Sequence, residues 1–585
     1  MSESERVTEL AKRRGFFFQT AEAYGGAAGF YTYGPTGAAL KENVQEAWRE
    51  RFAVQEGHME IESPTIMPEP VFEASGHLDT FDDMLIECPE CGASHRADHL
   101  VEDATEMEEA EALDPEAIAG IIAEHDIQCP ACGATLADEP VGEFNLMFET
   151  NIGPGSSSPG YLRPETAQGI FVEFPRLKEY ARNQLPFGAT QIGSAYRNEI
   201  SPRKGLVRLR EFTQAELELF IDPETDDPPL DEVAGIELPL YSAAAQTDDD
   251  RGVETVPVDE AVEAGTIGSA WIGYYLAISR RFYERIGVDL DRFRFRQHLG
   301  GERAHYASDC WDAEAEVDGD WIELTGYAYR SDYDLRKHDE YADDDFTVFK
   351  PYDEPVEIER ATVDPDMAAL GPEYGDEATA VAESLEALAA EDPAAFEADT
   401  VEVAVGDEPV TVPREVTGFE MTTETIQGEH LLPHVNKPSS GIDRLLYTVI
   451  THAYREDELS GEQRTYLELP AAIAPTFVGV FPLMVRDGLD DRAADLASDL
   501  REAGFAVAYD EAGSIGRRYR RQDEVGTPYC LTVDYDTLDD ETVTIRDRDT
   551  AAQRRVPIDG LADLLTDLKE GDRRFEDVGV AVADA

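Results

Sequence analysis

The sequence predicts an α+β protein whose working centre is an antiparallel strand pair and whose C-terminal end is a separate α/β domain. Three observations carry this. On both sides of the turn residues Pro202 and Gly205 the side chains alternate with the period of two that extended strands impose. From about residue 472 the pattern changes to strand, helix, strand, helix. Two C-x-x-C-G segments, Cys88/Cys91 and Cys129/Cys132, interrupt the N-terminal part with metal-ligand spacing.

A chain of 585 residues is too long for one core and implies two to four folding units, which a hydrophobic fraction of 42% can fill. No stretch approaches the roughly 20 apolar residues of a membrane span. The most apolar candidate, AAIAPTFVGVFPLMV (471–485), contains two prolines, and the amino end, MSESERVTELAKRRG, lacks the apolar core of a signal peptide. The expectation is a soluble, cytoplasmic protein with no membrane partner.

Acidic residues number 124 against 49 Lys and Arg, a formal charge of −75. At ordinary salt such a field repels a polyanion. The acid is spread along the chain, however, and lysine occurs only at positions 12, 41, 178, 204, 337, 350, 437 and 569. At molar salt the Debye length is about 3 Å and only charges in contact are felt. The composition therefore suits a salt-rich cytoplasm, and reports habitat more than function. Disorder, the other cause of acidity, is opposed by the aromatics and the apolar periodicity.

In chain order, the cysteine knuckles come first. They flank an acidic, helix-like stretch and place four thiolates for a tetrahedral, structural zinc with no open position for chemistry. Two disulfides would suit a secreted protein instead. Cys310 and Cys530 read as ordinary core thiols. Segments 222–268 and 352–412, rich in Asp, Glu, Pro and Ala, look like inserted, solvated surface elements, the second with a helix at ATAVAESLEALAAE.

The segment AYRNEISPRKGLVRLREFTQAE (195–216) gathers Arg197, Arg203, Lys204, Arg208 and Arg210 in this acidic chain. If 207–219 is extended, Arg208, Arg210, Phe212, Gln214 and Glu216 share one face, and Val207, Leu209, Thr213, Ala215 and Leu217 the other. Arg197 and Glu199 point together on the preceding strand, so a hairpin displays cations, a ring and carboxylates on one open sheet. Such a row can hold a nucleotide: guanidinium on phosphate, Phe212 on a base, Glu199 accepting from an exocyclic amine. From Phe212 to Glu216 the strand runs roughly 13 Å at about 3.3 Å per step, the span of an adenylate from base to acyl group. A ladder of cross-strand ion pairs would show the same alternation.

In PSSGIDRLLYTVI (438–450), Ile442, Leu445, Leu446, Val449 and Ile450 form one helical stripe, and Arg444 lies about 200° from Ile442. A cation at a helix start opposes the dipole, so Arg444 needs an anionic partner; phosphate is one, a surface arginine the other reading. In the last part, TFVGVFPL, GFAVAYD, YCLTVDYD and TVTIRDRD read as strands. Leu489, Ala493, Leu496, Ala497 and Leu500 mark one helix face, and GLADLLTDLKE closes the domain.

Several further segments extend the pattern: RRGFFFQTAEAYGGAAGFYTYGPTGAALKENV, PEPVFEASGHLDTF (68–81), RADHLVED (96–103), YLRPETAQGIF (161–171), QHLGGERAHYASDCWDAE (297–314) and ELTGYAYRSDYDL (323–335). With these the chain resembles the dimeric glycyl-tRNA synthetases, a branch of the class II aminoacyl-tRNA synthetases, over most of its length apart from the two acidic segments. The resemblance implies a catalytic domain at 1–470, an antiparallel sheet flanked by helices with a zinc-binding insertion at 88–135, and an α/β anticodon-binding domain at 471–585. It implies an ATP site at Arg197, Asn198, Glu199, Val207, Arg208, Leu209, Arg210, Glu211, Phe212, Glu323, Leu324, Gly441, Ile442, Asp443 and Arg444, with Arg197 and Arg444 on phosphates. Glycine would be held by Arg96, Glu165, Phe212, Thr213, Gln214, Ala215, Glu216, Lys437, Pro438, Ser439, Ser440 and Gly441. ATP, Mg²⁺, structural Zn²⁺, glycine, tRNA(Gly) and a second copy of the chain, meeting around Pro64, are the implied ligands and partners.

One position departs from the family pattern. Lys437 stands where an acid is usual and would repel the substrate ammonium, so it is expected to swing outward, or Glu420 or Glu429 to substitute. No editing domain is expected, because larger amino acids can be refused sterically. Arg517, Arg518, Arg520 and Arg521 are candidate tRNA contacts, although a salt-bridged helix surface reads the same way. Another class II synthetase, for proline, threonine or histidine, or a non-catalytic synthetase-like nucleic-acid-binding subunit, remains the alternative.

Overall fold

The computed structural model describes residues 2–582 except 106, 108, 109, 111, 112, 155–157, 203, 204, 249, 250, 301–308, 406, 407 and 460. Arg203 and Lys204 of the cationic segment therefore lie outside the described residues. The chain forms two compact units, Thr347–Leu432 and the remainder. Among the described residues no helix is long and apolar enough to cross a membrane.

The larger unit is built on a nine-stranded sheet. Its strands are β1 (Met59–Glu60), β2 (Phe187–Tyr196), β3 (Glu211–Ile221), β4 (Glu237–Tyr241), β5 (Glu254–Pro257), β6 (Phe293–Gln297), β7 (Asp309–Val317), β8 (Asp320–Ser331) and β9 (His434–Gly441). Their spatial order is β5-β4-β6-β7-β8-β9-β3-β2-β1. Neighbours are antiparallel except β4 with β6 and β1 with β2. Strands β3 and β9, over 200 residues apart in sequence, are adjacent, with Glu216 opposite Ser439. That pairing is what brings the two halves of the site together.

Helices α1 (Glu3–Arg14), α2 (Pro35–Arg49), α3 (Ala270–Ile286) and α4 (Ile442–Ala453) contribute to the core that covers one face of the sheet. In α4 the predicted stripe of Ile442, Leu445, Leu446, Val449 and Ile450 is completely buried. The start of α2 fits only because it carries glycine: a Cβ on Gly37 would stand 1.8 Å from the Phe16 carbonyl oxygen. Helix α3 is capped by Ser269, whose hydroxyl accepts from the Ile272 amide, and ends at Gly287 in the left-handed region, φ 86°.

The segment 222–268 is not a solvated appendage. It supplies the edge strands β4 and β5 and sends Val233, Leu238, Leu240, Val258, Ala261 and Ile267 into the main core. Its acidic residues masked a short apolar alternation, since an edge element needs only one buried face. The cysteine region forms a three-stranded sheet, Asp82–Glu87, Ser94–Arg96 and Gly142–Asn145, with helices Ala97–Ala104 and Pro115–Glu124 and a small core of its own.

The C-terminal part carries a six-stranded sheet ordered Val507–Tyr509, Val478–Pro482, Tyr529–Val533, Thr542–Asp547, Gln553–Pro557, Val580–Ala581, the first three parallel and the rest antiparallel. Helix Leu489–Glu502 buries Leu489, Ala493, Leu496, Ala497 and Leu500, the predicted face.

The smaller unit also departs from a solvated surface reading. A long antiparallel strand pair, Val348–Thr362 with Glu420–Leu431, accompanies the pair Thr400–Val405 and Glu408–Pro413 and the expected helix, Ala378–Glu391. Val381, Leu385, Ala389, Phe396, Val401, Val403 and Val412 form its core, so this insertion folds as a body rather than lying on one.

Candidate active site

A cavity of about 280 Å³ opens over β3, β8 and β9 and is lined by residues from all of them. Strand alternation places Phe212 and Gln214 on its floor, while Ala215 and Leu217 turn into the core. The predicted strand is shorter than expected: β3 begins at Glu211, and 205–210 form a turn. Arg208 and Arg210 therefore do not continue the row of Phe212. Arg208 reaches the cavity from the turn and pairs with Glu199 at 3.0 Å. Arg210 instead donates to the backbone oxygens of Glu199 (2.8 Å) and Ala28 (3.1 Å), bracing the turn.

Arg197 lines the cavity just past the end of β2. Its guanidinium carbon is 5.4 Å from the ring centres of both Phe81 and Phe212, a double cation–π seat, and its Nε donates to the Pro164 carbonyl. Phe81 belongs to the PEPVFEASGHLDTF segment but was assigned no role from sequence.

At the start of α4, the Asp443 carboxylate accepts from the Thr213 amide, from Lys41 at 3.2 Å and from the Tyr33 hydroxyl, locking the helix end to β3. Burial, followed by the Asp443 charge, pushes the Tyr33 phenol well above its ordinary range. Arg444, one residue on, faces away from the core as predicted, donating to the Val207 carbonyl (3.0 Å) and to the Glu323 carboxylate (2.8 Å). An acid at this helix end also offsets the cation beside it.

Sequence reasoning did not single out two further lining groups, His298 and Asp312, which lie 2.8 Å apart. Burial, then the nearby Glu323 charge, pushes the Asp312 carboxyl up to about 6. Both lie in QHLGGERAHYASDCWDAE, and neither has a spacing that distinguishes it. Cys310, expected as a core thiol, is buried but lines the same cavity. Cys530 is a core thiol, pushed up to about 12 by burial.

The amino-acid candidates converge below this. Glu216, fully buried, accepts from Thr166 Oγ1 and the Ala167 amide on one oxygen and from Ser439 Oγ on the other, each at 2.6 Å. Glu165 lines the cavity and accepts from Gln168 Nε2 at 2.7 Å. Lys437 does not swing outward: it is only 7% exposed and its Nζ stands 2.8 Å from Glu165, 3.2 Å from Glu216 and 3.8 Å from Glu218. Glu165, Glu216 and Glu218 together outweigh the desolvation of one ammonium, which is why the lysine stays in. No substitute acid is needed to explain it.

Of the remaining candidates, Val207, Leu209, Thr213, Leu324, Ser439, Gly441 and Asp443 line the cavity. Asn198, Glu211, Pro438 and Arg96 do not. Arg96 is buried in ion pairs with Asp83 (3.2 Å) and Asp98. Ala215, Ile442 and Ser440 face the core, where Ser440 Oγ accepts from Trp48 Nε1 at 3.1 Å.

In the cysteine region the four Sγ atoms lie within 4.8 Å of one another, with Cys88 and Cys132 3.6 Å apart and Cys91 and Cys129 3.8 Å apart. Tetrahedral zinc with bonds of about 2.3 Å sets its sulfurs roughly 3.8 Å apart, so the donor set and its size fit that ion. Of the tRNA-contact candidates, Arg518 is buried and donates to the carbonyls of Pro482, Glu511 and Gly513, so it braces the fold instead. Arg520 and Arg521 are engaged with Glu462 and Asp510, whereas Arg517 is exposed.

Two family models match the chain: the tRNA synthetase class II core domain (G, H, P, S and T) over residues 157–237, which contains β2 and β3, and the anticodon binding domain over 477–568. Core and terminal domain together define a class II aminoacyl-tRNA synthetase. The chain is 49% identical to the glycine--tRNA ligase of Methanothrix thermoacetophila over 100% of both chains. It is 46% identical to that of Methanothermobacter thermautotrophicus, over 97% of this chain and 99% of the relative, and 44% identical to that of Archaeoglobus fulgidus, over 98% of each. The chain belongs to the glycine--tRNA ligase family.

Proposed function

We infer that this protein attaches glycine to its tRNA in an ATP-dependent reaction. A glycine carboxylate oxygen attacks the α-phosphorus of ATP, pyrophosphate leaves, and the 3′-terminal ribose hydroxyl of tRNA(Gly) then takes the glycyl group and releases AMP. Among the alternatives, the full-length similarity to glycine--tRNA ligases favours this over a proline, threonine or histidine enzyme or a non-catalytic subunit.

The observation that carries the reading is that Arg197 and Arg444 line one cavity together with Glu165 and Lys437. No protein nucleophile is required; positioning and charge stabilisation supply the rate. In this reading Arg197 faces the α-phosphate, Arg444 the terminal phosphate, Phe212 and Glu199 the adenine, and Glu165 and Ser439 the glycine ammonium, with the buried Glu216 holding Ser439. Mg²⁺ on the nucleotide would shield phosphate charge, and Glu323 with Asp312 offers the oxygen donors such an ion takes. The cysteine cluster is a structural zinc site, the second copy in a homodimer is the expected partner, and the acidic surface belongs to a salt-rich cytoplasm.

The test is amino-acid-dependent ATP–pyrophosphate exchange in molar KCl. Glycine is expected to stimulate exchange and proline, threonine and histidine are not. Exchange driven by one of those in place of glycine would overturn the assignment.

A further inference from the structure

A buried ammonium at the amino-acid end of the site is the least expected feature of this molecule. Lys437 sits on β9 between neighbouring strands, and its Nζ is shared by Glu165, Glu216 and Glu218 at 2.8, 3.2 and 3.8 Å. Glu216 is held in place by Thr166, Ala167 and Ser439. Both oxygens of Glu218 are buried without a hydrogen-bond partner among the described residues. Three acids thus converge on one internal lysine, with Arg330, itself paired to Asp334, acting on the same cluster.

We propose that Lys437 is a positioning residue for amino-acid recognition, an internal counter-ion that, seated on the buried Glu216, holds the cavity-lining Glu165 in place to receive the ammonium of the substrate. This rests on the glycine--tRNA ligase reading. The surrounding charges support it. Burial pushes the Glu218 carboxyl well above the carboxylate range, against the pull of Lys437. Burial would raise Glu165 too, but there Lys437, with His77 and Arg330, prevails and holds it well below that range. With Glu218 protonated and Arg330 answered by Asp334 at 2.5 Å, Lys437 stands between Glu165 and Glu216, and Arg163 is a further cation facing Glu216. An acid at 437 would add a negative charge here in place of countering one.

The groups facing Glu165 are Lys437, His77, Arg330 and Gln168; those facing Lys437 are the three glutamates and Arg330. Without the lysine charge, Glu165 titrates higher and its ionised form is lost at higher pH, so the acidic limb of activity moves toward neutrality.

The experiment measures glycine-dependent ATP–pyrophosphate exchange from pH 5 to 9 in molar KCl for the native chain, Lys437→Gln and Lys437→Gln/Glu218→Gln. The double variant removes one formal charge of each sign and serves if the single variant does not fold, as judged by circular dichroism. The expected result is a KM for glycine raised tenfold or more, a KM for ATP within twofold of native, and an acidic limb that enters the pH 5 to 7 window. A folded variant with native glycine KM and native pH profile, or with a lower KM, would overturn the proposal. Absence of glycine-dependent exchange in the native chain would instead remove the reading beneath it.

Discussion

Arg444 and Glu323 form an ion pair at 2.8 Å across the cavity, with the same guanidinium also holding the Val207 carbonyl. The arginine is thereby oriented before any nucleotide arrives, and the carboxylate occupies a position from which it can turn to a metal. Arg444→Ala is expected to lower pyrophosphate exchange on the order of 10²–10³-fold, the usual loss for a positioned charge donor. Glu323→Gln should weaken the dependence on Mg²⁺ more than it weakens glycine binding. Equal effects on both substrates would argue that the pair serves folding alone.

The seat of Arg197 gives a second prediction. Phe81→Leu removes one of two rings that flank the guanidinium and should raise the KM for ATP by roughly three- to tenfold, from about 0.5–1.5 kcal/mol of cation–π stabilisation. The KM for glycine should change little. Steady-state exchange at varied ATP decides it.

Asp312 provides a pH test whose sign can be worked out. Its folded-state carboxyl is raised from 3.8 to about 6, so the folded protein binds the proton more tightly than the unfolded chain. The resulting stabilisation is complete below pH 3.8 and is lost as pH rises through about 6. Asp312→Asn should therefore gain relative stability above pH 6, by about 1–2 kcal/mol once loss of the His298 contact is counted, and none at pH 4. Denaturant melts at the two pH values in constant salt would show it; an equal change at both would rule it out.

The cysteine cluster predicts a metal. Purified protein should carry one zinc per chain by elemental analysis, and Cys129→Ser should lose it and lower the melting temperature of the insertion, since ligand and fold are linked. Exchange activity measured before and after mild chelation distinguishes a structural ion, whose loss acts through stability, from one that takes part in the reaction.

Arg517 and Arg518 are neighbours with opposite expected phenotypes. Arg518→Ala leaves three carbonyls without their donor and should cost about 2–4 kcal/mol of stability. Arg517→Ala should leave stability unchanged and raise the KM for tRNA. Reversal of these phenotypes would mean the exposed side chain is the structural one.

The strongly periodic elements were legible before any coordinates. The α4 stripe and the face of the helix at 489–502 follow from spacing alone, because a buried helix face cannot tolerate polar interruptions. The thiol spacing likewise determines its own geometry. The register that sets Glu216 beside Ser439 was not legible, since it joins segments over 200 residues apart through backbone bonds that carry no side-chain signature. Residues 207–210 were read as strand because alternation persists through them, yet Arg208 and Arg210 serve different ends. Lys437 was misjudged from its charge alone: pairwise repulsion from a substrate was weighed, whereas the three acidic side chains around it were invisible until the strands came together.

The first and last strands of the smaller unit pair so that Val348 lies directly opposite Leu431, and the polypeptide enters and leaves the unit through one narrow doorway. All nine strands of the catalytic sheet lie outside that doorway. A module attached in this way is a cassette: it can be enlarged, exchanged or clipped to a tight turn while the machinery that bears it keeps every one of its pairings, which makes this junction the natural place for the lineage, or an engineer, to add new parts.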